Sequence, residues 1–259
     1  MSRPVAEIDL AAARVGAPPP TLWADYGCPF AQRVRALCAH LGWPLTLHEA
    51  AVGAAPPGLE RYSPSRRLPY LTHGELLVGE SRVMLEHLAE YHGFAEAMPA
   101  DLPSRTAHRH AMALVDGFLV PRMTVQGPES APARLGEILD TIERSTRTTP
   151  PGPCLLAFHV APVWLRAQLW SADGSVVRGV TARPALHRWL DQAAALEGVR
   201  RTTPDDETLR CNLDRARQAG LLPWETSQDS TPRDSFTCTI PTQPRAASSA
   251  GDDPTRSPS

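Results

Sequence analysis

Within two dozen residues, starting at Thr21, the chain switches from one hydrophobic period to another, and few folds accommodate that switch with a cysteine at its centre. Thr21 to Tyr26 alternates as a strand does, whereas Phe30, Val34, Leu37, Cys38 and Leu41 fall on one face at helical spacing. Cys28 and Pro29 lie at the change of period, so the sequence predicts a strand-turn-helix unit with the sulfur at the turn. A proline in the first helical position loses no hydrogen bond, and Pro29 therefore supports that placement. The sulfur would face the first free N–H groups and the positive end of the helix dipole, both of which favour thiolate. Such sites lower a cysteine pKa from about 8.5 to roughly 3.5–7.5, so Cys28 is expected to be nucleophilic at neutral pH. The competing reading is a small buried hydrophobe, the usual state of a free cysteine. The turn position favours the reactive one.

The next segments pair locally. Leu45 to His48 reads as a second strand, Pro56 to Tyr62 as a short helix, and Ser63 to Arg67 as a loop. Tyr70-Leu71-Thr72 and Glu75 to Val78 flank His73-Gly74, a two-residue connection suited to a hairpin. Ser81 to Tyr91 follows as a helix with Val83, Met84, Leu88 and Tyr91 inward. The order βαβ, helix, hairpin, helix is the thioredoxin topology.

Beyond Pro103 the pattern is helical only. Ala111, Leu114, Val115, Phe118 and Leu119 form one stripe, Leu135, Ile138, Leu139 and Ile142 another, and two antiparallel helices are expected there. A polar break at Ser145 to Pro153 precedes an apolar segment through Trp164 and Trp170, read as a central helix. Leu186, Trp189, Leu190, Ala193 and Leu196 mark another helix, and Thr203 to Glu207 a further helix start. The expected organisation is a flexible lead over 1–20, a thioredoxin-like domain over 21–95, an all-helical domain over 103–224 and a disordered tail over 225–259.

The charges are interspersed and sum to -2, which argues against nucleic acid or an anionic membrane surface as partner. No stretch approaches the roughly 18 uninterrupted apolar residues of a membrane span, and residues 1–20 are too polar for a secretory signal. Five scattered cysteines without CxxC spacing read as reduced thiols, which points to the cytoplasm.

The run Cys28-Pro29-Phe30-Ala31-Gln32-Arg33-Val34-Arg35 resembles the CPF-x-QR stretch of omega-class glutathione transferases, dehydroascorbate reductases and chloride intracellular channel proteins. Leu68-Pro69 before a strand, Glu80-Ser81 before a helix, and the later Pro184 to Trp189 stretch are similar to that superfamily's markers, so the resemblance covers Thr21 to about Thr203. It implies a glutathione-transferase fold, an α/β thioredoxin-like N-terminal domain followed by an all-α domain, in a cytoplasmic homodimer. It implies that glutathione binds beside Cys28, Pro29 and Phe30. Pro69 would be cis, the Leu68 backbone would pair with the cysteinyl moiety, Glu80 would hold the γ-glutamyl ammonium, and Ser81 would cap its helix and hold the carboxylate.

Two departures from the superfamily stand out. The stretch Val52 to Gly58 has no cation for the glycine carboxylate, leaving Arg61, Arg66 or Arg67 as substitutes, and His159-Val160-Ala161-Pro162 stands where a Ser/Thr-x-x-Asp capping box is usual.

The function implied is glutathione-dependent thiol transfer or reduction through a Cys28-glutathione mixed disulfide, acting on a small disulfide or electrophile. Cys38, ten residues on, should pack inward and leave Cys28 without a resolving partner. Conventional conjugation of glutathione to an electrophile is one alternative, and a non-catalytic binding or regulatory protein on the same fold is another. An acceptor pocket is expected among helical side chains such as Met112, Phe118 and Trp164.

Overall fold

The computed structural model describes residues 19–50, 68–120, 132–148, 152–170 and 174–218. The lead before residue 19, the expected helix at Pro56 to Tyr62, the loop that follows it and the tail lie outside the described residues. The first half is built from β1 (Thr21–Ala24), α1 (Pro29–His40), β2 (Thr46–Glu49), β3 (Tyr70–His73), β4 (Leu76–Val78) and α2 (Ser81–His92). The sheet order is β2-β1-β3-β4, with β1 parallel to β2 and antiparallel to β3. Its β3–β4 register pairs His73 with Leu76, so the two-residue connection is Gly74-Glu75 and not His73-Gly74. Gly74 at φ +60 provides the left-handed backbone that such a turn requires.

α1 is buried almost throughout: it shares one core with the strands and packs against α2 and later helices. Leu22, Val34, Leu37, Leu71, Met84, Leu85 and Leu88 are fully buried in the shared core, and Cys38 turns inward as expected. Val83 does not: it is exposed, and Leu85 takes the inward place, because the face that α2 presents to the core is rotated from the expected one.

The second half is helical among the described residues: α3 (Leu102–Leu114), α4 (Pro132–Arg147), α5 (Leu155–Trp170), α6 (Ser175–Thr181), α7 (Pro184–Ala194), α8 (Glu197–Thr202) and α9 (Asp206–Gln218). α3 and α4 pack together, but α4 runs through Ser145 to Arg147, so the polar break is shorter than expected. α3 continues into a π-helical turn at Val115–Leu119, which leaves Phe118 exposed and turns Asp116 toward α1. α5 is the central helix and contains Pro162 in its interior. It begins after Cys154, directly behind the polar break as expected, and the His159-Pro162 stretch lies inside it. α9 starts as its acids suggest, with the Thr208 N–H donating to the Asp205 carboxylate at 2.7 Å.

No helix among the described residues is long and apolar enough to cross a membrane. Cys28, Cys38 and Cys154 are free thiols, whereas Cys211 is disulfide-bonded, which departs from the expectation of five reduced cysteines.

Candidate active site at the head of the first helix

β1 ends one residue before Asp25, whose carboxylate accepts from the Gly27 N–H at 2.8 Å and from Asn212 Nδ2 of α9 at 2.8 Å. The Asp25 carbonyl accepts from the Cys28 N–H at 3.1 Å, which closes the turn. Only glycine fits at position 27, because a Cβ there would lie 2.5 Å from Asn212 Cβ. Cys28 is the N-cap of α1 in extended backbone, Pro29 is the first helical residue, and the Cys28 carbonyl accepts from the Gln32 N–H at 3.0 Å. The sulfur thus sits at the expected place, at the Phe30 and Ala31 amides, and the Arg33 guanidinium lies 4.8 Å from the centroid of the Phe30 ring.

The electrostatics differ from the expectation. Burial pushes the Cys28 thiol up, and this outweighs the amides of Ala31 and Phe30, which pull it down. Asp25 adds to the rise and Arg166 opposes it. The expected depressed pKa rested on the helix terminus alone; later helices packed over α1 leave the sulfur only partly exposed, and the lost hydration disfavours a thiolate.

Leu68-Pro69 is a cis peptide. Since Tyr70 pairs with Trp23, the two residues before it run alongside the end of β1, next to the turn that carries Cys28. Glu80, exposed at φ 59, is the N-cap of α2, and its carbonyl accepts from the Met84 N–H at 3.0 Å. Ser81 is the first helical residue and not the cap; it is buried, and its hydroxyl oxygen accepts from Arg33 Nη1 at 3.0 Å.

Arg33 is the hub joining these parts. Fully buried, it also donates from Nε to the His159 carbonyl at 2.8 Å and from Nη2 to Asp116 Oδ1 at 2.8 Å. His159 Nε2 lies 3.1 Å from Asp116 Oδ1 and 3.2 Å from the Met112 carbonyl. Two acceptors facing one nitrogen place the imidazole hydrogen on Nε2. Burial and the Arg33 charge depress His159 to about 4 against the pull of Asp116, so the ring is neutral at pH 7. Burial alone would raise Asp116, but the His159 hydrogen bond and the Arg33 charge hold it at about 2.

The structure therefore brings Cys28, Phe30 and Ser81 onto one scaffold through Arg33, with Leu68-Pro69 alongside and Glu80 at the solvent edge. Among the described residues the three side chains expected to form an acceptor pocket do not share one cavity. Met112 and Trp164 are buried, Phe118 is exposed, and of the three only Trp164 lines the apolar cavity formed by Val115, Leu119, Leu139 and Val163. Arg61, Arg66 and Arg67 lie outside the described residues. Arg33, Asp116, His159, Asp25, Asn212 and Arg166 were not expected from the sequence, although a single Arg in the otherwise uncharged α5 is a readable sign of a buried, hydrogen-bonded cation.

Residues 22–96 match the family model "Glutathione S-transferase, N-terminal domain". That segment belongs to the glutathione S-transferase superfamily. The described chain as a whole has the glutathione S-transferase fold. The tau class glutathione S-transferase MiGSTU of mango, Mangifera indica, is similar at 20% identity over 77% of this chain and 98% of that one, with a TM-score of 0.63. Glutathione transferase Omega 1C of Trametes versicolor matches at 18% identity over 77% and 97%, with a TM-score of 0.61. Rice GST1, solved in complex with glutathione, matches at 20% identity over 78% and 99%, with a TM-score of 0.61. No curated protein sequence matches the chain.

Proposed function

We propose that the protein is a glutathione-dependent thiol transferase in which Cys28 is the nucleophile. Glutathione would lie along the heads of α1 and α2, with its cysteinyl backbone paired to Leu68, its γ-glutamyl ammonium at Glu80 and its carboxylate at Ser81. Pro29 and Phe30 would form the wall beside the sulfur, and Pro69 the bend that presents Leu68. The observation that carries this reading is the Cys28 sulfur at the Phe30 and Ala31 amides, on the same Arg33 scaffold as Ser81. The match of residues 22–96 to a glutathione S-transferase domain and the glutathione complex of the rice protein support the choice of thiol.

In the reaction the Cys28 thiolate attacks the glutathione sulfur of a mixed disulfide. The Cys28–glutathione S–S bond forms, the original S–S bond breaks, and the substrate leaves as a thiolate that takes a proton from water. A second glutathione thiolate then attacks the bound glutathione sulfur, which releases glutathione disulfide and regenerates the Cys28 thiolate. Electrons balance, since the substrate sulfur is reduced to a thiol as the one incoming glutathione is oxidised, and the disulfide bond passes from the substrate to glutathione.

Incubation with glutathione disulfide should add one glutathione to Cys28 by intact mass, and Cys28→Ala should abolish the adduct. Because the thiol is raised, adduct formation should still be accelerating above the ordinary cysteine value of about 8.5. An unmodified wild-type chain at pH 9 overturns the reading.

The same burial favours a second reading, conjugation of glutathione to an electrophile. A thiol kept protonated can donate its S–H to the thiolate of bound glutathione instead of attacking. Conjugation of a chlorodinitrobenzene probe that survives in Cys28→Ser would select this chemistry.

A further inference from the structure

Arg166 is the only Asp, Glu, Lys or Arg in the sixteen residues of α5, and it is fully buried. Its Nη2 donates to the Gly27 carbonyl at 2.8 Å, the peptide immediately before Cys28. Its Nη1 donates to Gln32 Oε1 and reaches the Pro162 carbonyl at 3.4 Å. Gln32 is in turn held by Thr203 Oγ1, which accepts from its Nε2 at 2.8 Å. Every partner of Arg166 is neutral, and among the described residues no carboxylate lies within ion-pair distance of it. A buried guanidinium without a counter-ion is costly, and such groups mark sites where an anion forms.

We propose that Arg166 is a positioning residue for Cys28: its fork fixes the Gly27 carbonyl and hence the turn, and its buried charge stabilises the Cys28 thiolate as it forms. This rests on the reading of Cys28 as the nucleophile. The charged groups acting on the sulfur are Asp25 at the end of β1, Arg33 and Arg35 of α1, and Arg166 of α5. Arg33 is neutralised by Asp116, and Arg35 is held over the Tyr26 ring, 4.0 Å from its centroid, with Nη2 on the Thr202 carbonyl at 2.6 Å. Arg166 is the one of the three arginines that holds the peptide adjoining Cys28. Burial brings its own pKa down to about 9 against the pull of Cys28, so it carries its charge at neutral pH.

The test is the rate of iodoacetamide alkylation at Cys28 as a function of pH, read on the Cys28 peptide in the full-length chain. Arg166→Gln keeps an amide donor for the Gly27 carbonyl and removes the charge; its midpoint should rise by about one pH unit, with alkylation about tenfold slower at pH 7.5. Arg166→Lys keeps the charge and should restore a midpoint within a few tenths of wild type. A midpoint that does not move in folded Arg166→Gln, verified by its melting transition, overturns the proposal, as does a midpoint that rises equally in Arg166→Lys. The glutathione adduct is scored separately: a shifted midpoint in a chain that takes up no glutathione refutes the transferase reading and leaves the role of Arg166 standing.

Discussion

The heads of α1 and α2 share one backbone feature, first-turn N–H groups that no helix carbonyl can satisfy, yet they have opposite surroundings. At the head of α1, Arg166 of α5 and Asn212 of α9 close over the turn, and the sulfur of Cys28 is pushed toward its neutral form. At the head of α2, Glu80 is exposed in a left-handed backbone, and only Ser81 behind it is buried. The comparison shows that a helix terminus sets the sign of the local field, while the elements packed over it decide whether burial or the field prevails. On the proposed function this difference would separate two tasks, attack by a shielded sulfur and capture of an ammonium by an exposed carboxylate.

Arg33 connects the two heads, and removing it should have the largest effect. Arg33→Met leaves Ser81 and the His159 carbonyl without this donor and Asp116 without its counter-ion, with only His159 to donate to it, and should cost about 4 kcal/mol by chemical denaturation. A loss under about 1 kcal/mol would mean that the heads are energetically independent.

Acid comes next. His159 is buried with its pKa depressed to about 4, so an unfolded chain takes up its proton near pH 6.5 while the folded one does not. Its contribution is complete above pH 6.5 and is lost as the pH falls to 4, a change of about 3 kcal/mol visible as a falling Tm. A flat Tm over that window would show that water reaches the network under α1.

Gly27→Ala sharpens the contrast from the α1 side. The new Cβ would clash with Asn212 and push α9 off the turn, at about 2 kcal/mol, with faster alkylation of Cys28 as the cover loosens. The smallest effect belongs to α2. Glu80→Gly relieves a φ of 59 and should stabilise the fold by about 1 kcal/mol while raising the KM for glutathione. If affinity is unchanged, Glu80 does not hold the ammonium.

Much of the first half was legible because its signals are local. The period change at Cys28-Pro29 and the glycine of the β-hairpin each act within a few residues, as do the acids at the start of α9 in the second half, and each element formed. The failures share a cause. The inward face of α2, the extension of α4 through Arg147 and the raised Cys28 thiol depend on what packs there from far along the chain, and Phe118 is turned outward by a π-helical turn that an α-helical stripe does not reveal. Arg33 reads as one more surface cation in a basic run, and its partners Ser81, Asp116 and His159 lie 48, 83 and 126 residues away.

By itself the amino-acid sequence determined that a cysteine opens the first helix of a thioredoxin-type unit, because strand period, helical stripe and a proline at the first helical position are short-range constraints. Only the tertiary structure decided the charge state of that cysteine and the partners of the three buried arginines. Solvation is a property of enclosure, and enclosure here is supplied by helices more than a hundred residues beyond the sulfur.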